Sequence, residues 1–192
     1  MRQPEPATPS SDRLITLAQQ GDRHAFSELV RQEYARVIRV VYRLCGDPQL
    51  AEDAAQEAFI RSWQHLPRFK PGPDAGRSFR NWVLRIANNV ALDMLRRERP
   101  NLELETQPLA SKNPGPERQF VQAEQANRVQ QAILAISPAS RAALILREVE
   151  QMSYQEIAET LEIPLGTVMS RLSYARQQLR RALASDLEDW HE

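Results

Sequence analysis

Segment 153–172 has the spacing of two short helices joined by a tight turn. Ser153 followed by Glu156 is the pattern of a capping box, which predicts where the first helix begins. A turn at 162–164 separates it from a second helix that begins near Gly166 and buries one apolar stripe, namely Val168, Leu172, Ala175 and Leu179. This is the spacing of a helix-turn-helix, whose second helix enters the DNA major groove and reads base edges.

The opposite face of that second helix carries side chains suited to nucleic acid. With the apolar stripe inward, the open side presents Thr167, Ser170, Arg171, Ser173 and Tyr174. Arginine suits guanine, and hydroxyls suit phosphate or either type of base. Three further arginines are better placed to contact phosphates, which position a protein without specifying a sequence: Arg176, Arg180 and Arg181. A capped helical hairpin with a solvated basic face is the less favoured alternative.

A second basic helix is predicted from about Ser78, which suits an N-cap. The segment from Arg77 to Arg99 contains six arginines and only two acidic residues, which gives it a local net charge of +4. Its polar side chains are of types that contact bases and phosphates: Arg80, Asn81, Arg85, Asn88, Asn89, Arg96 and Arg97. Trp82 could stack on an unpaired base, but its place on the apolar stripe favours packing in the core.

An acidic helix precedes this basic one. Four of its polar side chains share one face by the i, i+3, i+4 rule, with Phe59 and Ile60 nearby: Glu52, Asp53, Gln56 and Glu57. Such a face repels DNA, so a protein partner would suit it. A merely solvated face explains the same charges equally well from spacing alone.

The elements that must hold these surfaces are all helical. Apolar residues recur at steps of three and four through most of the chain, and no segment alternates with period two for long enough to form a strand. Four prolines interrupt the pattern between residues 100 and 116, which indicates a linker. We therefore expect an all-α chain with a flexible lead-in at 1–11, a helical domain at 12–100, a flexible linker at 101–116, a helix-turn-helix domain at 117–185 and an acidic tail at 186–192.

Composition limits the other classes of function. The 192 residues include 42% hydrophobic residues and balance 25 basic against 25 acidic side chains, which suits a folded core. No apolar run is long enough to span a bilayer, and the N-terminal segment has no signal-peptide core. Cys45 is the single cysteine, and the three histidines form no zinc-spaced set. We expect a reduced, cytoplasmic protein without metal, cofactor or direct insertion into a membrane.

Three segments in this order carry a resemblance to a known family: AEDAAQEAF at 51–59, WVLRIANN at 82–89 and GTVMSRL at 166–172. The chain resembles the bacterial RNA polymerase sigma factors of the extracytoplasmic function (ECF) group, which contain only the second and fourth sigma regions. The likeness covers roughly residues 13–100 and 117–184. It implies a region 2 helical bundle and a region 4 helix-turn-helix.

The resemblance also implies partners and sites. The acidic helix would dock on the clamp helices of the largest subunit of core RNA polymerase, through Asp53, Gln56, Glu57, Phe59 and Trp63. The loop 68–77 and the helix after it would recognise and open the minus-10 promoter element, through Arg80, Asn81, Arg85, Asn88, Asn89 and Arg96. The helix from Gly166 would read the minus-35 element as duplex DNA, through Thr167, Ser170, Arg171, Ser173, Tyr174 and Arg176. The flap of the second-largest subunit and an anti-sigma factor are further expected partners.

Two alternatives come from other functional classes. A helix-turn-helix repressor or activator that never joins the polymerase would explain segment 153–172, but it has no need of a second basic helix after an acidic one. A helical enzyme is disfavoured, because no nucleophile–base set, paired carboxylates or glycine-rich phosphate loop is visible. We therefore expect no catalytic residues.

Overall fold

A computed structural model describes residues 10–98 and 117–188, and these are helical almost throughout, with no strand among them. The helices are α1 Ser11–Gln19, α2 Arg23–Cys45, α3 Pro48–His65, α4 Ala75–Glu98, α5 Glu117–Leu134, α6 Pro138–Glu148, α7 Tyr154–Leu161 and α8 Leu165–Glu188, with a 3₁₀ turn at Leu66–Arg68. The all-α prediction is confirmed. The predicted linker and most of the lead-in and the tail lie outside the described residues, so the domain boundaries stay predictions.

Short polar residues and one glycine set the boundaries of α2 and α3. The Asp22 carboxylate accepts hydrogen bonds from two backbone N–H groups in the first turn of α2. Gly46 ends α2 in the left-handed conformation, with φ of 80°, and donates its N–H to the Tyr42 carbonyl. Asp47 then caps α3, and Pro48 occupies its first turn, where no backbone donor is needed. This run of residues turns the chain sharply between two helices that pack together.

The first half buries an apolar core between α1, α2, α3 and α4. Phe79 and Leu84 of α4 meet Leu29 and Leu44 of α2, and all four are nearly inaccessible to solvent. Side chains of this size contribute about 1.5–3 kcal/mol each when they are fully buried. The contact face of α3 is made of small residues, which allow its backbone to approach the neighbouring helices: Ala51, Ala54, Ala55 and Ala58.

Helix α4 begins at Ala75, earlier than the predicted start near Ser78. Asp74 does the work expected of Ser78: its carboxylate accepts the Arg77 N–H at 2.9 Å, and its carbonyl accepts the Ser78 N–H at 2.9 Å. The Ser78 hydroxyl instead accepts the Gly72 N–H at 3.0 Å and holds the preceding loop. The prediction of Ser78 as N-cap was wrong because Asp74, an equally suitable capping residue, stands one turn upstream and starts the helix earlier.

The second half is built around α6, α7 and α8. The capping box predicted at Ser153 is confirmed, with the Glu156 N–H donating to the Ser153 hydroxyl and the Glu156 carboxylate accepting from the Ser153 N–H. The predicted inward stripe of α8 is also confirmed, because Val168, Leu172 and Ala175 are fully buried. The helix-turn-helix therefore forms as its spacing predicts.

The two halves pack directly against each other. Arg141 of α6 is buried and donates to the Leu44 carbonyl at the C-terminus of α2, while Gln130 of α5 reaches the carbonyls of Tyr42 and Arg43 at 3.4 Å. The Arg43 and Leu44 carbonyls are among those that the end of a helix leaves without a backbone partner, at the negative end of its dipole, while the Tyr42 carbonyl also accepts the Gly46 N–H. The sequence did not predict this contact, because neither donor belongs to a recognisable motif.

Candidate nucleic-acid interface

The turn before α8 places the start of that helix at the surface. Glu162 ends α7 in the left-handed conformation with φ of 53°, and the Thr167 and Val168 N–H groups donate to the Pro164 carbonyl. Burying the stripe at 168, 172 and 175 turns the remaining residues outward. Ser170, Ser173 and Tyr174 are exposed, and Thr167 and Arg171 are half-buried. Five of the six side chains predicted for the minus-35 element therefore share the open face of α8.

Arg176, the sixth, is held by two neighbours. Its guanidinium donates to the Glu148 carboxylate at 3.0 Å and to the Tyr154 hydroxyl at 3.4 Å. The hydrogen bonds with Tyr154 and Glu148 raise the pKa of Arg176, so it stays charged. Its half-buried side chain is oriented by α6 and α7, which suits a group that contacts a phosphate at a fixed place.

Two exposed apolar side chains on α8 were missed by the sequence reasoning about this face. Leu165 is 40% exposed and Met169, one turn later, is 49% exposed. Apolar groups in the major groove contact the thymine methyl. Their four-residue spacing, along the edge of the buried stripe, is the signal that could have found them.

The basic face of α4 is engaged by carboxylates. Arg77 makes two hydrogen bonds to Glu156, at 2.6 and 2.9 Å, and Asn81 lies 3.4 Å from the same carboxylate. Arg85 pairs with Glu162 at 2.6 Å. Arg80 pairs with the buried Glu33 of α2 at 3.2 Å. Arg96 pairs with Asp93 on its own helix at 2.9 Å, and Asn89 is exposed.

Asn88 does not fit the role predicted for it. Its side chain is 1% exposed, and its amide donates to the Leu84 carbonyl at 2.9 Å, one turn earlier in α4. An amide committed to its own helix and covered by the core cannot reach DNA in this conformation. The prediction failed because Asn88 falls on the inward side of α4, between Leu84 and Ala91, which are also buried.

Trp82 packs against other aromatic side chains, as its place on the apolar stripe predicts. Its ring lies 4.7 Å from the Phe69 ring at an interplanar angle of 29°, and 5.9 Å from the Phe79 ring. These contacts attach the loop after α3 to the start of α4. The indole remains half-buried, and its main contacts are to other aromatic rings.

The outer face of α3 combines acidic groups with an apolar cleft. Asp53 and Gln56 are exposed, and Glu57 pairs with Arg61 at 2.7 Å. A cleft of about 390 Å³ lies between α2 and α3, lined by Arg23, Phe26, Ser27, Phe59, Ile60, Trp63 and Gln64. Within it Ile60 is 53% exposed, while Phe59 is 6% exposed and forms part of the floor. The predicted partner face is therefore both charged and apolar.

Other classes of site are not visible among the described residues. No group of His, Cys, Asp and Glu side chains there is arranged to hold a metal ion, and no helix there has the length and hydropathy to cross a bilayer. Burial raises the pKa of the Cys45 thiol to about 11, which disfavours a reactive thiolate. The surfaces that remain are the two helices with basic groups and the face of α3. A helix-turn-helix with an open polar face, accompanied by a second basic helix, defines a DNA-binding protein.

Comparison with known proteins identifies the family. The Sigma-70 region 2 family matches residues 29–100, and the Sigma-70, region 4 family matches residues 126–179. The chain is 40% identical to ECF RNA polymerase sigma factor SigE of Mycolicibacterium smegmatis over 172 residues, which cover 85% of this chain and 65% of SigE. It is 32% identical to SigW of Bacillus subtilis, covering 88% of this chain and 94% of SigW, and 35% identical to sigma-H of Pseudomonas aeruginosa, covering 88% and 92%. The chain belongs to the ECF RNA polymerase sigma factors.

Solved structures share the fold. CnrH, solved with the cytosolic domain of CnrY, superposes with a TM-score of 0.67 at 22% identity, covering 92% of this chain and 99% of CnrH. RpoE of Bartonella quintana, solved with the anti-sigma factor NepR, gives the same TM-score at 21% identity and covers 84% and 98%. By its family matches and sequence relatives the chain is a sigma factor, which binds core RNA polymerase and directs initiation at promoters, and a repressor acting without polymerase is not favoured.

Proposed function

We propose that α8 reads the minus-35 element of the promoter in the major groove. The observation that supports this assignment is the open face of α8, where Arg171 and the exposed hydroxyls lie opposite the fully buried stripe. Arg171 reads a base edge, and Thr167, Ser170, Ser173 and Tyr174 supply polar contacts around it. Arg176, oriented by Glu148, contacts a phosphate and sets the register of the helix.

The minus-10 element is assigned to α4. Arg80, Asn81, Arg85, Asn89 and Arg96 lie on this helix with part or all of their side chains accessible. Asn88 is left out of the contact set because it is buried. Phosphate contacts by the arginines hold the strand, and the amides of the half-buried Asn81 and the exposed Asn89 suit the edges of unpaired bases.

We assign the binding of core polymerase to the outer face of α3. Asp53, Gln56 and Glu57 supply its acidic part, while the cleft with Trp63 receives an apolar side chain from the clamp helices of the largest subunit. Phe59 forms the floor of that cleft. An acidic rim around an apolar centre is a common arrangement for binding a protein. We further propose that the second half contacts the flap of the second-largest subunit.

Regulation by an anti-sigma factor completes the proposal. Two relatives by fold were solved with regulatory proteins, the cytosolic domain of CnrY and the anti-sigma factor NepR. We place this chain in the cytoplasm with the polymerase, and we assign it no enzymatic activity. Transcription in cells with and without a candidate regulator tests the partner: equal activity in both would contradict control by that protein.

Binding to core polymerase tests the assignment of α3. The double variant Asp53→Arg with Glu57→Arg should weaken binding, because it reverses the charge of the proposed contact face, while helical content stays unchanged by circular dichroism. Glu124→Arg with Glu159→Arg is the matched control, since both acids are exposed and lie on α5 and α7. Equal affinity of both double variants would contradict the assignment. Start-site mapping with sigma-free polymerase tests the function as a whole.

A further inference from the structure

Acidic residues of the helix-turn-helix occupy the basic face of α4. Glu156 of α7 receives both hydrogen bonds of Arg77 and lies within 3.4 Å of the Asn81 amide. Glu162, at the end of α7, binds Arg85 at 2.6 Å. Asn81 and Arg85, which we assign to the minus-10 strand, and Arg77 beside them are thus bound by carboxylates from the other half of the chain.

Carboxylate and phosphate compete for the same guanidinium. Both present paired oxygen atoms that accept two parallel hydrogen bonds from one arginine. Glu156 takes the Nε–Nη2 edge of Arg77, which leaves only the Nη1–Nη2 edge for a strand, and its negative charge offsets that of the guanidinium. Binding of DNA along this part of α4 is therefore disfavoured while Glu156 and Glu162 stay in place.

The contact extends well beyond these ion pairs. Glu150 has its side chain almost fully buried and binds Arg36 at 3.0 Å and Arg39 at 3.7 Å, both on α2. Arg141 and Gln130 satisfy the carbonyls at the end of α2. Leu134 of α5 lies against Gly46. Exposed ion pairs alone stabilise a contact only weakly. Buried polar groups and apolar contacts, by contrast, favour one arrangement of the two halves.

The other proposed surfaces stay accessible in this arrangement. The open face of α8 keeps Ser170, Ser173 and Tyr174 exposed. Helix α3 packs against α2, α4 and the 3₁₀ turn, and within the described residues it meets none of the helices of the second half. Of the three proposed binding surfaces, on α3, α4 and α8, the one on α4 is covered by the other half of the chain.

We propose that the free protein adopts a closed conformation in which Glu156 and Glu162 take the place of DNA phosphates on α4. The closed conformation disfavours binding of a single strand until the two halves separate. This inference rests on the proposed role of α4 at the minus-10 element. It makes the helix-turn-helix an intramolecular competitor of the promoter strand as well as the reader of the minus-35 element.

The experiment compares the full chain with the double variant Glu156→Gln and Glu162→Gln. Glutamine at 156 can still accept the capping hydrogen bonds of Ser153, so α7 should fold. The control, Glu124→Gln with Glu159→Gln, removes the same charge from exposed positions of α5 and α7. Thermal melting and circular dichroism check the fold of each protein. Small-angle X-ray scattering gives the radius of gyration, and fluorescence anisotropy gives the affinity for a labelled single-stranded 20-mer of DNA.

We expect the double variant to have a larger radius of gyration and about tenfold higher affinity for the single strand than the wild type. The control should resemble the wild type in both. A wild-type radius of gyration larger than that of the closed arrangement would overturn the closed conformation, even if the protein still directs start-site selection with core polymerase. Expansion without a gain in affinity would overturn the masking of α4. A gain equal to that of the control would show a simple charge effect and also overturn the proposal.

Discussion

Arginines at the candidate DNA surfaces are already held by acidic side chains from other helices. Arg80 binds Glu33, Arg85 binds Glu162 and Arg176 binds Glu148. An arginine held in this way is oriented before DNA arrives, but its carboxylate partner must be displaced or shared. The residue types of these sites could be read from the sequence. Their partners could not, because each lies far along the chain.

Substitution of Arg171 should weaken binding to one DNA sequence more than binding to DNA in general. Arg171→Ala should weaken binding to the minus-35 duplex by about 1–3 kcal/mol, because a bidentate contact to a base is lost. Core binding should be unchanged. Arg180→Ala, at an exposed position further along α8, is the control and should weaken binding to all sequences alike. Transcription from a mapped promoter and from one with an altered minus-35 element measures the difference. Equal sensitivity of both variants to the promoter sequence would contradict the assignment of Arg171.

The protonation of Glu156 reports the contact between the halves. Desolvation acts to raise the pKa of Glu156, but the Ser153 N–H and hydroxyl and the Arg77 guanidinium outweigh it and lower the pKa from 4.5 to about 2. The part of this lowering that Ser153 causes stabilises α7 itself, and only the part that Arg77 causes stabilises the closed conformation. Both contributions are present above pH 4.5 and are lost as pH falls toward 2.

Nuclear magnetic resonance can follow this titration directly. The side-chain carbon of Glu156 should show little change between pH 7 and pH 4 in the wild type. In Arg77→Gln its pKa should rise, because the charged partner is gone, yet it should stay below 4.5 while Ser153 still donates. An unchanged titration in this variant would mean that Arg77 and Glu156 are apart in solution.

At the scale of elements, two glycines end helices in the left-handed conformation but differ in their surroundings. A Cβ at Gly21, with φ of 94°, would meet nothing within 4 Å, whereas one at Gly46 would approach Leu134 Cδ1 to 2.5 Å. Either change to alanine should cost about 1–2 kcal/mol in backbone strain. Gly46→Ala should cost about 0.5–1.5 kcal/mol more, because the flexible end of the Leu134 side chain must shift.

Chemical denaturation of the two alanine variants measures this difference. Leu134→Ala combined with Gly46→Ala should recover the steric part of the loss and leave the strain, as a double-mutant cycle resolves it. Equal losses for Gly21→Ala and Gly46→Ala would mean that α5 does not pack against the end of α2 in solution.

Helices were predictable from the sequence because their signals are local. The capping box at Ser153 and the apolar stripe of α8 each depend on residues within about two turns, and each appears as expected. The start of α4 was misplaced because Ser78 and Asp74 both suit an N-cap. Asn88 was misassigned because residue type outweighed its inward position on the helix.

At the scale of the whole molecule, the packing of one half on the other was beyond sequence reasoning. It depends on pairs such as Arg36 with Glu150 and Arg77 with Glu156, which are separated by more than 70 residues and belong to no repeating pattern. The resemblance to a family gave the two regions and their tasks. It did not give their relative placement, which depends on contacts between residues far apart in the chain.

Closure and polymerase binding use different surfaces, so they should respond to different substitutions. Because α3 meets none of the described helices of the second half, the closed protein can present Asp53 and its neighbours to the clamp helices without opening first. Glu156→Gln with Glu162→Gln should therefore leave the affinity for core polymerase unchanged and accelerate the formation of open promoter complexes. Fluorescence anisotropy of labelled protein titrated with core, followed by permanganate footprinting of melted promoter DNA, measures the two effects. A large change in core affinity would mean that the halves must separate before α3 can dock, and that closure controls polymerase binding rather than α4 alone.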